Sequence, residues 1–398
     1  MPHYCIILSI VFIFLFHPQC SNSQNIELVA YNSFVTAAEQ TNQYLHLLSG
    51  KNVGIIANQS SIVGNKHLID SLLNLGINIK KIFTPEHGFR GQEDAGAKVA
   101  SFTDAKTGIT VISLYGNKKK PAKEDLAGLD ILCFDLQDVG TRFYTYISTL
   151  TYVMEACAEN DVPLLVLDRP NPNAFYVDGP VLKPGFESFV GLHPVPVVYG
   201  LTIGEYALMV NGEKWLNNKL RCNLTVISLR NYHRNRIVKL PIKPSPNLPT
   251  WESIYLYPSL CFFEGTVVSI GRGTDHPFEV YGHPQLKGGN YSFVPQSRPG
   301  ATNPPLIGKQ CFGFHLNSYA HDFANREGKI NLNWLMSAYT ELKNQVKFFN
   351  NYFDTLAGSD QLRKQIEAGM TVEQIRHSWQ NDLEGYKKIR VKYLLYPD

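Results

Sequence analysis

The chain has 398 residues, of which 44% are hydrophobic and 18% charged, a balance that excludes a disordered or fibrous protein. Its 37 Lys and Arg and 34 Asp and Glu leave a net charge of +3 at pH 7, without long runs of like charge. Nucleic acid is therefore not expected as a ligand, and binding in a pocket is favoured. At roughly 100–200 residues per domain, the length predicts two domains.

The N-terminal segment has the pattern of a secretory signal. Residues 6–16 are apolar apart from Ser9, which is too short a run to span a bilayer, since this takes about 20 residues, but fits the core of a signal peptide. We expect residues 1–23 to be removed and the mature protein to be exported, either periplasmic or secreted. Cys20 raises the alternative of a lipid anchor, which the absence of small residues just before it disfavours.

Five cysteines remain beyond this segment. They are odd in number, widely spaced and lack a C-x-x-C pattern, which argues against a disulfide framework or a structural zinc site. We expect Cys133 and Cys157 to be buried small apolar residues. A single disulfide among Cys222, Cys261 and Cys311 stays open.

From about residue 50, short apolar runs alternate with helical patterns. Each run has about five residues rich in Val, Ile, Leu or Phe, as in strands buried on both faces. The runs are Val53–Ala57, Ile79–Phe83, Thr110–Leu114, Ile131–Asp135 and Leu164–Asp168, with helices expected near 64–75, 121–128 and 145–160. The alternation predicts an α/β fold, with a Rossmann-like, mostly parallel sheet covered by helices.

The alternation of short apolar runs and helical patterns ends after Asp168. A Pro- and Gly-rich stretch precedes a helix expected near 202–217 and a possible strand at 224–229. Lys243–Pro249 holds three prolines, so it is neither helix nor central strand, and we interpret it as the crossing between domains. We expect a catalytic domain over 24–248 and a smaller α+β domain over 249–398 that closes the cleft. Helices are expected there near 331–345, 357–368 and 371–381.

Polar residues follow the ends of the predicted strands. In a parallel α/β sheet the ligand sits in the crevice at the carboxyl ends of the strands. The segments that follow the five runs are Asn58-Gln-Ser60, Thr84–Gly91, Tyr115-Gly-Asn117, Gln137–Tyr146 and Arg169–Asn173. The opposite ends are ordinary turns, so this edge predicts a cleft for a polar organic ligand.

The Glu86-His-Gly88 segment is the strongest catalytic candidate. A carboxyl group in an otherwise apolar setting has its pKa raised by desolvation and can serve as a general acid. His87 beside it would orient Glu86 or bind substrate. The alternative is a structural Glu86 that pairs with Arg90.

A second carboxylate group follows the fourth strand. Asp135, Gln137 and Asp138 lie there, and Arg142 follows Asp138 by four residues. A general acid together with a second carboxylate is the pattern of glycoside hydrolysis.

Aromatic and amide side chains complete this edge. Tyr144 and Tyr146 would form a platform for a sugar ring, with core packing as the alternative. Arg169 and Asn171 lie in a proline-stiffened loop that presents them to a ligand or simply forms a rigid turn.

Two further residues stand out in the second half of the chain. Glu264 precedes a glycine, and Arg272 lies between Gly271 and Gly273. The small residues permit close backbone approach, and the guanidinium could clamp an anion such as a carboxylate.

Other reaction classes lack their sequence patterns. A dinucleotide fingerprint is absent after the first strand, and no G-x-S-x-G indicates an esterase. No H-E-x-x-H occurs and the histidines show no ligand-like helical spacing, so a metal site is not expected and an NAD cofactor is disfavoured.

Taken together, these blocks resemble the NamZ-type exo-β-N-acetylmuramidases, bacterial enzymes of peptidoglycan turnover. The matching stretches, in family order, are Thr84–Gly91, Phe134–Tyr146, Leu167–Pro172, Ser245–Thr250, Phe263–Thr266 and Gly271–Thr274. The resemblance spans roughly residues 50–280. A small departure is Ala57, where many relatives are expected to have Thr.

The resemblance implies release of terminal β-linked N-acetylmuramic acid from the non-reducing ends of peptidoglycan fragments, without a cofactor. It makes Glu86 the expected catalytic acid. His87, Arg90, Asp138, Arg142 and Tyr144 fall on matching cleft positions, with roles that the resemblance leaves less defined.

The residues suit this substrate. Arg142 or Arg272 would bind the lactyl carboxylate of muramic acid, and Asn58 or Gln59 its N-acetyl group. Asp138 or Asp135 would steer water or stabilise the oxocarbenium-like transition state. Retention, inversion and assistance by the N-acetyl group all stay open, as do glycan length, stem-peptide tolerance and oligomeric state.

Two rival functions use the same residues. A non-catalytic cell-wall carbohydrate-binding protein would tolerate Glu86→Gln, whereas a glycosidase would not. A metal-dependent amidase would lose activity on chelation.

Overall fold

The computed structural model describes residues 33–85, 89, 101–323 and 328–397, together with the backbone of 27–29. The predicted signal segment, Glu86, His87 and Arg90 lie outside these residues. Within the described part of the chain, no helix combines the length and the apolar character that crossing a membrane requires.

The strands in this part of the chain are short. They are β1 (Glu27–Val29), β2 (Asn52–Ala57), β3 (Ile62–Val63), β4 (Lys66–His67), β5 (Asn78–Thr84), β6 (Phe102–Thr103), β7 (Thr110–Ser113), β8 (Ile131–Asp135), β9 (Leu164–Leu167), β10 (Leu224–Ile227), β11 (Arg236–Val238), β12 (Val280–His283), β13 (Tyr291–Phe293) and β14 (Cys311–His315).

Helices separate many of these strands and dominate the C-terminal third. They are α1 (Thr41–Leu48), α2 (Leu68–Asn74), α3 (Lys123–Leu126), α4 (Tyr146–Glu159), α5 (Ile203–Gly212), α6 (Trp251–Leu260), α7 (Asn317–Phe323), α8 (Asn333–Leu342), α9 (Phe353–Ala357), α10 (Gln361–Glu367), α11 (Val372–Ser378) and α12 (Gln380–Arg390).

The central sheet has seven strands in the order β10-β9-β8-β2-β5-β7-β6. All neighbours are parallel except β6, which is antiparallel to β7. The chain moves outward from β2 to β5 and β7, and then returns to the other side of β2 through β8, β9 and β10. The strand order therefore reverses between β2 and β8, which is the switch point of a doubly wound sheet. The predicted α/β fold class is confirmed.

A separate antiparallel sheet lies in the C-terminal region, in the order β12-β14-β13. The largest hydrophobic core is continuous between the two regions, since it includes Phe134 and Tyr144 together with Phe263 and Leu356. The domain boundary between residues 248 and 249 stays a prediction.

The expected helix near 357–368 is divided. Gly358 follows α9 with a φ of 77°, and this left-handed conformation, which glycine adopts without strain, ends the helix. The helix α10 then begins at Gln361. Cys133, Cys157, Cys222, Cys261 and Cys311 are all free and buried, so none of them forms a disulfide in the structure.

Candidate active site

A cleft of about 920 Å³ is lined by both regions of the molecule. From the N-terminal region come Tyr115 and Gly116, which follow β7, and Tyr144, which follows β8. Glu264 and Arg272 contribute from the C-terminal region. The cleft therefore lies beside the carboxyl ends of the parallel strands, where a doubly wound sheet binds its ligands.

Glu264 and Arg272 form an ion pair on the C-terminal side of this cleft. The Arg272 Nε donates to Glu264 Oε1 over 2.7 Å, and Nη2 lies 2.6 Å from the same oxygen. Burial acts to lower the pKa of Arg272, but the charge of Glu264 outweighs it and the pKa is raised. The guanidinium also lies 5.0 Å from the ring centroid of Phe278.

A tight loop presents Arg272. Gly271 and Gly273 flank it with φ values of 79° and 78°, in the left-handed region that favours glycine. A Cβ on Gly271 would lie 2.5 Å from the carbonyl oxygen of His276, so this turn excludes larger residues. The expected close backbone approach is present in this segment.

An aromatic wall forms the opposite side. Phe189 packs at 5.9 Å from Tyr115 and, in a stacked geometry, at 6.2 Å from Tyr152. Lys119 Nζ lies 4.5 Å from the centroid of the Phe189 ring. Sequence reasoning selected the Tyr115 segment but missed Lys119 and Phe189. The run of three lysines at 118–120 could have pointed to Lys119, whereas no feature of the sequence pointed to Phe189.

The two tyrosines after β8 have different positions. Tyr144 lines the cleft, and its hydroxyl donates to the carbonyl of Pro244 over 2.9 Å. Tyr146 packs edge-to-face against Tyr144 at 4.7 Å and is 1% exposed. Its hydroxyl accepts from Asn58 Nδ2 over 2.7 Å. Tyr146 is therefore a core residue that supports Tyr144 from behind.

Part of the edge at the switch point between β2 and β8 is covered by another segment of the chain. Asn58 is buried, and its Oδ1 accepts from the backbone N–H and the hydroxyl of Ser60 at 2.9 and 2.6 Å. Gln59 Nε2 donates to the carbonyls of Lys243 and Pro244 at 3.3 and 3.1 Å. The proline-rich crossing segment therefore covers this part of the edge.

Asp135 and Arg169 form a buried ion pair at the same edge. Arg169 Nε and Nη2 donate to the two carboxylate oxygens over 2.5 and 2.8 Å, and the side chains are 2% exposed or less. Arg169 Nη2 also donates to the carbonyl of Ile62 over 3.1 Å. Both groups hold loops together at the strand ends.

Gln137 and Asn171 are also engaged by the backbone. Gln137 Nε2 donates to the carbonyls of Asp138 and Pro170 over 2.8 and 2.6 Å. Asn171 Nδ2 donates to the carbonyl of Leu201 over 2.8 Å. Gln137 and Arg169 border a different pocket of about 370 Å³, which Ser60 and Ile62 also line, so this pocket lies at the strand ends around the switch point.

Asp138 is a buried carboxyl group with one oxygen engaged. Its Oδ2 accepts from the Gly140 N–H over 2.6 Å and from the Tyr199 hydroxyl. Its Oδ1 has no hydrogen-bond partner among the described residues. Burial raises the pKa of Asp138 to about 7, against the opposing effect of these donors. Asp138 does not line the cleft.

The guanidinium of Arg142 does not face the cleft as a binding group for a carboxylate. Nη1 donates to the carbonyls of Pro180 and Val195 at 2.7 and 2.8 Å, and Nη2 to those of Leu356 and Ala357 at 3.0 and 2.8 Å. Burial lowers its pKa to about 9. The side chain is fully buried, and these four carbonyls take the place of the water that would otherwise solvate the guanidinium. Arg142 therefore ties the loop after β8 to α9.

Of the sequence-predicted residues within the described part of the chain, the structure brings Tyr144, Glu264 and Arg272 to the cleft. Gln137 and Arg169 border the smaller pocket instead. The others do not line the cleft, and they are Asn58, Gln59, Asp135, Asp138, Arg142, Tyr146 and Asn171. Glu86, His87 and Arg90 lie outside the described residues.

A doubly wound α/β domain joined to a second region by an aromatic and charged cleft defines a class of proteins that act on polar organic ligands. Comparison with known families narrows this class. The family description "Exo-beta-N-acetylmuramidase NamZ, N-terminal" matches residues 53–252, and its C-terminal counterpart matches residues 255–396. The chain belongs to the NamZ exo-β-N-acetylmuramidase family, and it is a glycoside hydrolase.

Individual relatives agree with this assignment. The peptidoglycan β-N-acetylmuramidase NamZ of Bacillus subtilis is 41% identical over 373 residues, which are 89% of each chain. Two crystal structures of DUF1343 family proteins from Bacteroides fragilis each cover 92% of this chain and 99% of their own. They have TM-scores of 0.83 and 0.75, at 47% and 28% identity.

Proposed function

We propose that this protein releases β-linked N-acetylmuramic acid from the non-reducing ends of peptidoglycan fragments, as part of cell-wall turnover. Family membership supports the reaction, and the cleft lined by Tyr144, Glu264 and Arg272 is the single observation that carries its location. The aromatic wall suits the C–H faces of a sugar ring. The cationic side chains Arg272 and Lys119 suit a substrate with a carboxylate.

Glu86 is the proposed general acid, which protonates the departing glycosidic oxygen. Thr84 ends β5, two residues before Glu86 in the sequence. The strand β5 is the parallel neighbour of β7, and Tyr115, just beyond β7, lines the cleft. His87 and Arg90 follow Glu86 in the sequence and are proposed to orient it or to contact substrate.

We assign the second carboxylate to Glu264. It is the acidic side chain that lines the cleft among the described residues, whereas Asp135 and Asp138 are buried and do not line it. Its negative charge would steer water or stabilise the developing oxocarbenium ion. Asp138 is proposed to hold the loop after β8, through Gly140 and Tyr199.

Arg272 is the proposed partner of the lactyl carboxylate. Glu264 engages its Nε and Nη2, which fixes the guanidinium at the cleft and leaves Nη1 without a partner among the described residues. A charge-assisted bond from Nη1 would then select muramic acid over sugars that lack the lactyl group.

Glu86→Gln tests the assignment directly. We expect turnover of a β-N-acetylmuramic acid disaccharide to fall by about 10²–10⁴, the usual contribution of a general acid. The loss should be much smaller on a dinitrophenyl β-N-acetylmuraminide, because this leaving group departs without protonation. Glu384→Gln on the exposed face of α12 is the matched control and should change neither rate. Equal turnover by wild type and Glu86→Gln on the disaccharide would remove Glu86 from this role.

Two outcomes would change the class of function. Saccharide binding without turnover by the wild-type protein would identify a carbohydrate-binding protein. Release of stem peptide instead of muramic acid, lost on chelation, would identify an amidase. We also propose that the activity is exerted outside the cytoplasm. Cell fractionation of the full chain and of a variant that lacks residues 1–23 tests this, and equal cytoplasmic retention of both would contradict it.

A further inference from the structure

Three metal-ligating side chains meet outside the cleft. One ligand atom from each of His276, Glu279 and His315 lies within 4.8 Å of the other two. His276 Nδ1 is 3.3 Å from Glu279 Oε2, and the two imidazole rings are 4.7 Å apart between centroids, at 71° to each other. None of the three residues lines the cleft.

Rigid elements hold this group. His315 ends β14 and is paired with Val280 of β12 in the antiparallel register, and Glu279 immediately precedes Val280. The backbone N–H of Leu316 donates to the carbonyl of Glu279 over 2.8 Å, which fixes the two chains side by side. His276 is placed by the bond from its backbone N–H to the Thr274 hydroxyl over 3.0 Å.

The carboxylate has an outer partner. The Thr250 hydroxyl donates to Glu279 Oε1 over 2.5 Å, so that Oε2 faces the imidazoles. Such a contact orients a ligating carboxylate in metal sites. Glu279 is 2% exposed, whereas His276 is 37% exposed on its side chain, which leaves one side of the group open to water.

We propose that His276, Glu279 and His315 bind one divalent cation of the zinc class. Two imidazoles and one carboxylate form a recognised zinc ligand set, with a fourth position for water. At metal–ligand bonds of about 2.0–2.2 Å, neighbouring ligand atoms of a tetrahedral site are about 3.3–3.6 Å apart. The separation of His276 Nδ1 and Glu279 Oε2 falls in this range.

A simple His–carboxylate pair would not use all three groups. One imidazole, that of His276, is enough to satisfy Glu279 Oε2, and the His315 ring takes no part in that pair. His315 Nδ1 receives only a long contact from the Asn317 N–H, at 3.4 Å, so its ring remains available to a metal. A bound cation accounts for the convergence of all three side chains.

The bound ion would act as a positioning site rather than a catalytic one. Arg272 and Phe278, which line the cleft, lie on either side of His276 in the sequence. The cation would link their loop to the β12–β14 sheet and, through Thr250, to the start of α6. The proposal does not depend on the identity of the substrate.

Zinc binding to the full-length chain tests the proposal without reference to activity. Protein stripped with a chelator and dialysed is titrated with zinc chloride by calorimetry, and we expect one equivalent to bind. Cobalt(II) should give the visible absorption of a tetrahedral or five-coordinate site. Zinc should also raise the melting temperature of the wild-type chain.

Variants locate the site. His315→Ala and Glu279→Gln should each weaken zinc binding at least tenfold and remove both the cobalt spectrum and the thermal shift. His321→Ala is the matched control, because His321 lies 3.5 Å from Glu252 in a separate His–carboxylate pair, and it should bind zinc like wild type. Circular dichroism checks that each variant folds, and His276→Gln replaces any that does not.

Sub-stoichiometric zinc binding by the wild-type chain would overturn the proposal. Unchanged affinity in both His315→Ala and His276→Gln would also overturn it. Loss of binding in His321→Ala with retention in the other variants would place the ion elsewhere.

Discussion

Two parts of the same sheet edge use polar side chains in opposite ways. Around the switch point, Asn58, Asp135 and Arg169 are buried. Asn58 bonds within its own loop, whereas Arg169 pairs with Asp135 and also bonds to Ile62. Elsewhere on this edge, Tyr144 and Arg272 line an open cleft, together with Tyr115 just beyond β7. A cluster of polar residues after a strand therefore indicates a binding site only where the rest of the chain leaves space for a ligand. Next to Gln59 that room is taken by Lys243 and Pro244, and only a smaller pocket of about 370 Å³ remains beside Gln137 and Arg169.

Arg169→Met should have the largest effect, and it probes the closed part of the edge. The substitution leaves the Asp135 charge buried without its partner, which typically costs about 3–5 kcal/mol in the free energy of unfolding. Urea denaturation measures this loss. Lys364→Met, which breaks the exposed pair with Asp360, should cost about 0.5 kcal/mol or less. Similar losses in the two variants would contradict the structural role of the buried pair.

Arg272→Gln tests the part of the sheet edge that is open to a ligand. Loss of a charged hydrogen bond, about 1.5–3 kcal/mol, should weaken inhibition by free N-acetylmuramic acid about 10–100-fold. Inhibition by N-acetylglucosamine, which lacks the lactyl carboxylate, should stay nearly constant. Arg142→Gln is the comparison, because it should lower the melting temperature without changing the ratio of the two inhibition constants. An unchanged ratio in Arg272→Gln would remove this residue from carboxylate recognition.

Asp138→Asn should change how stability depends on pH. The folded-state pKa of about 7 lies above the ordinary pKa of 3.8 for an aspartate, so between about pH 4 and 7 the folded state keeps a proton that the unfolded state has lost. Wild-type stability should therefore fall as pH rises through this window, by up to about 1.4 kcal/mol per pH unit from this group. The variant should lack this contribution. Parallel stability curves for the two proteins would contradict the raised pKa.

Lys119→Met should have the smallest effect. It removes a cation–π contact with Phe189 that is worth about 0.5–1 kcal/mol, together with one positive charge at the cleft. We expect KM for the muraminide to rise about two- to fivefold, with less difference at high salt. Lys118→Met is the matched control, since Lys118 pairs with Asp125 and does not line the cleft. An equal rise in KM for both variants would point to general electrostatic steering.

The sequence alone determined the doubly wound sheet. Hydrophobic runs such as 53–57 and 131–135 became β2 and β8 almost residue for residue, because a strand buried on both faces must be apolar throughout. The family blocks determined the class of enzyme. Gly271 and Gly273 also indicated a segment of close backbone approach, and both have the left-handed φ values that glycine adopts without strain.

Only the tertiary structure decided which polar groups face a ligand. In the sequence Asp138 was a catalytic candidate and Glu264 only a candidate for substrate binding, yet Asp138 is buried and Glu264 lines the cleft. The sequence suggested Arg142 as a partner for a substrate carboxylate, but in the fold its guanidinium donates to four backbone carbonyls from distant segments. The same applies to His276 and His315, which antiparallel pairing brings together across 39 residues. Such contacts depend on which loops cover which strands, and this cannot be predicted from the spacing of residues along the sequence.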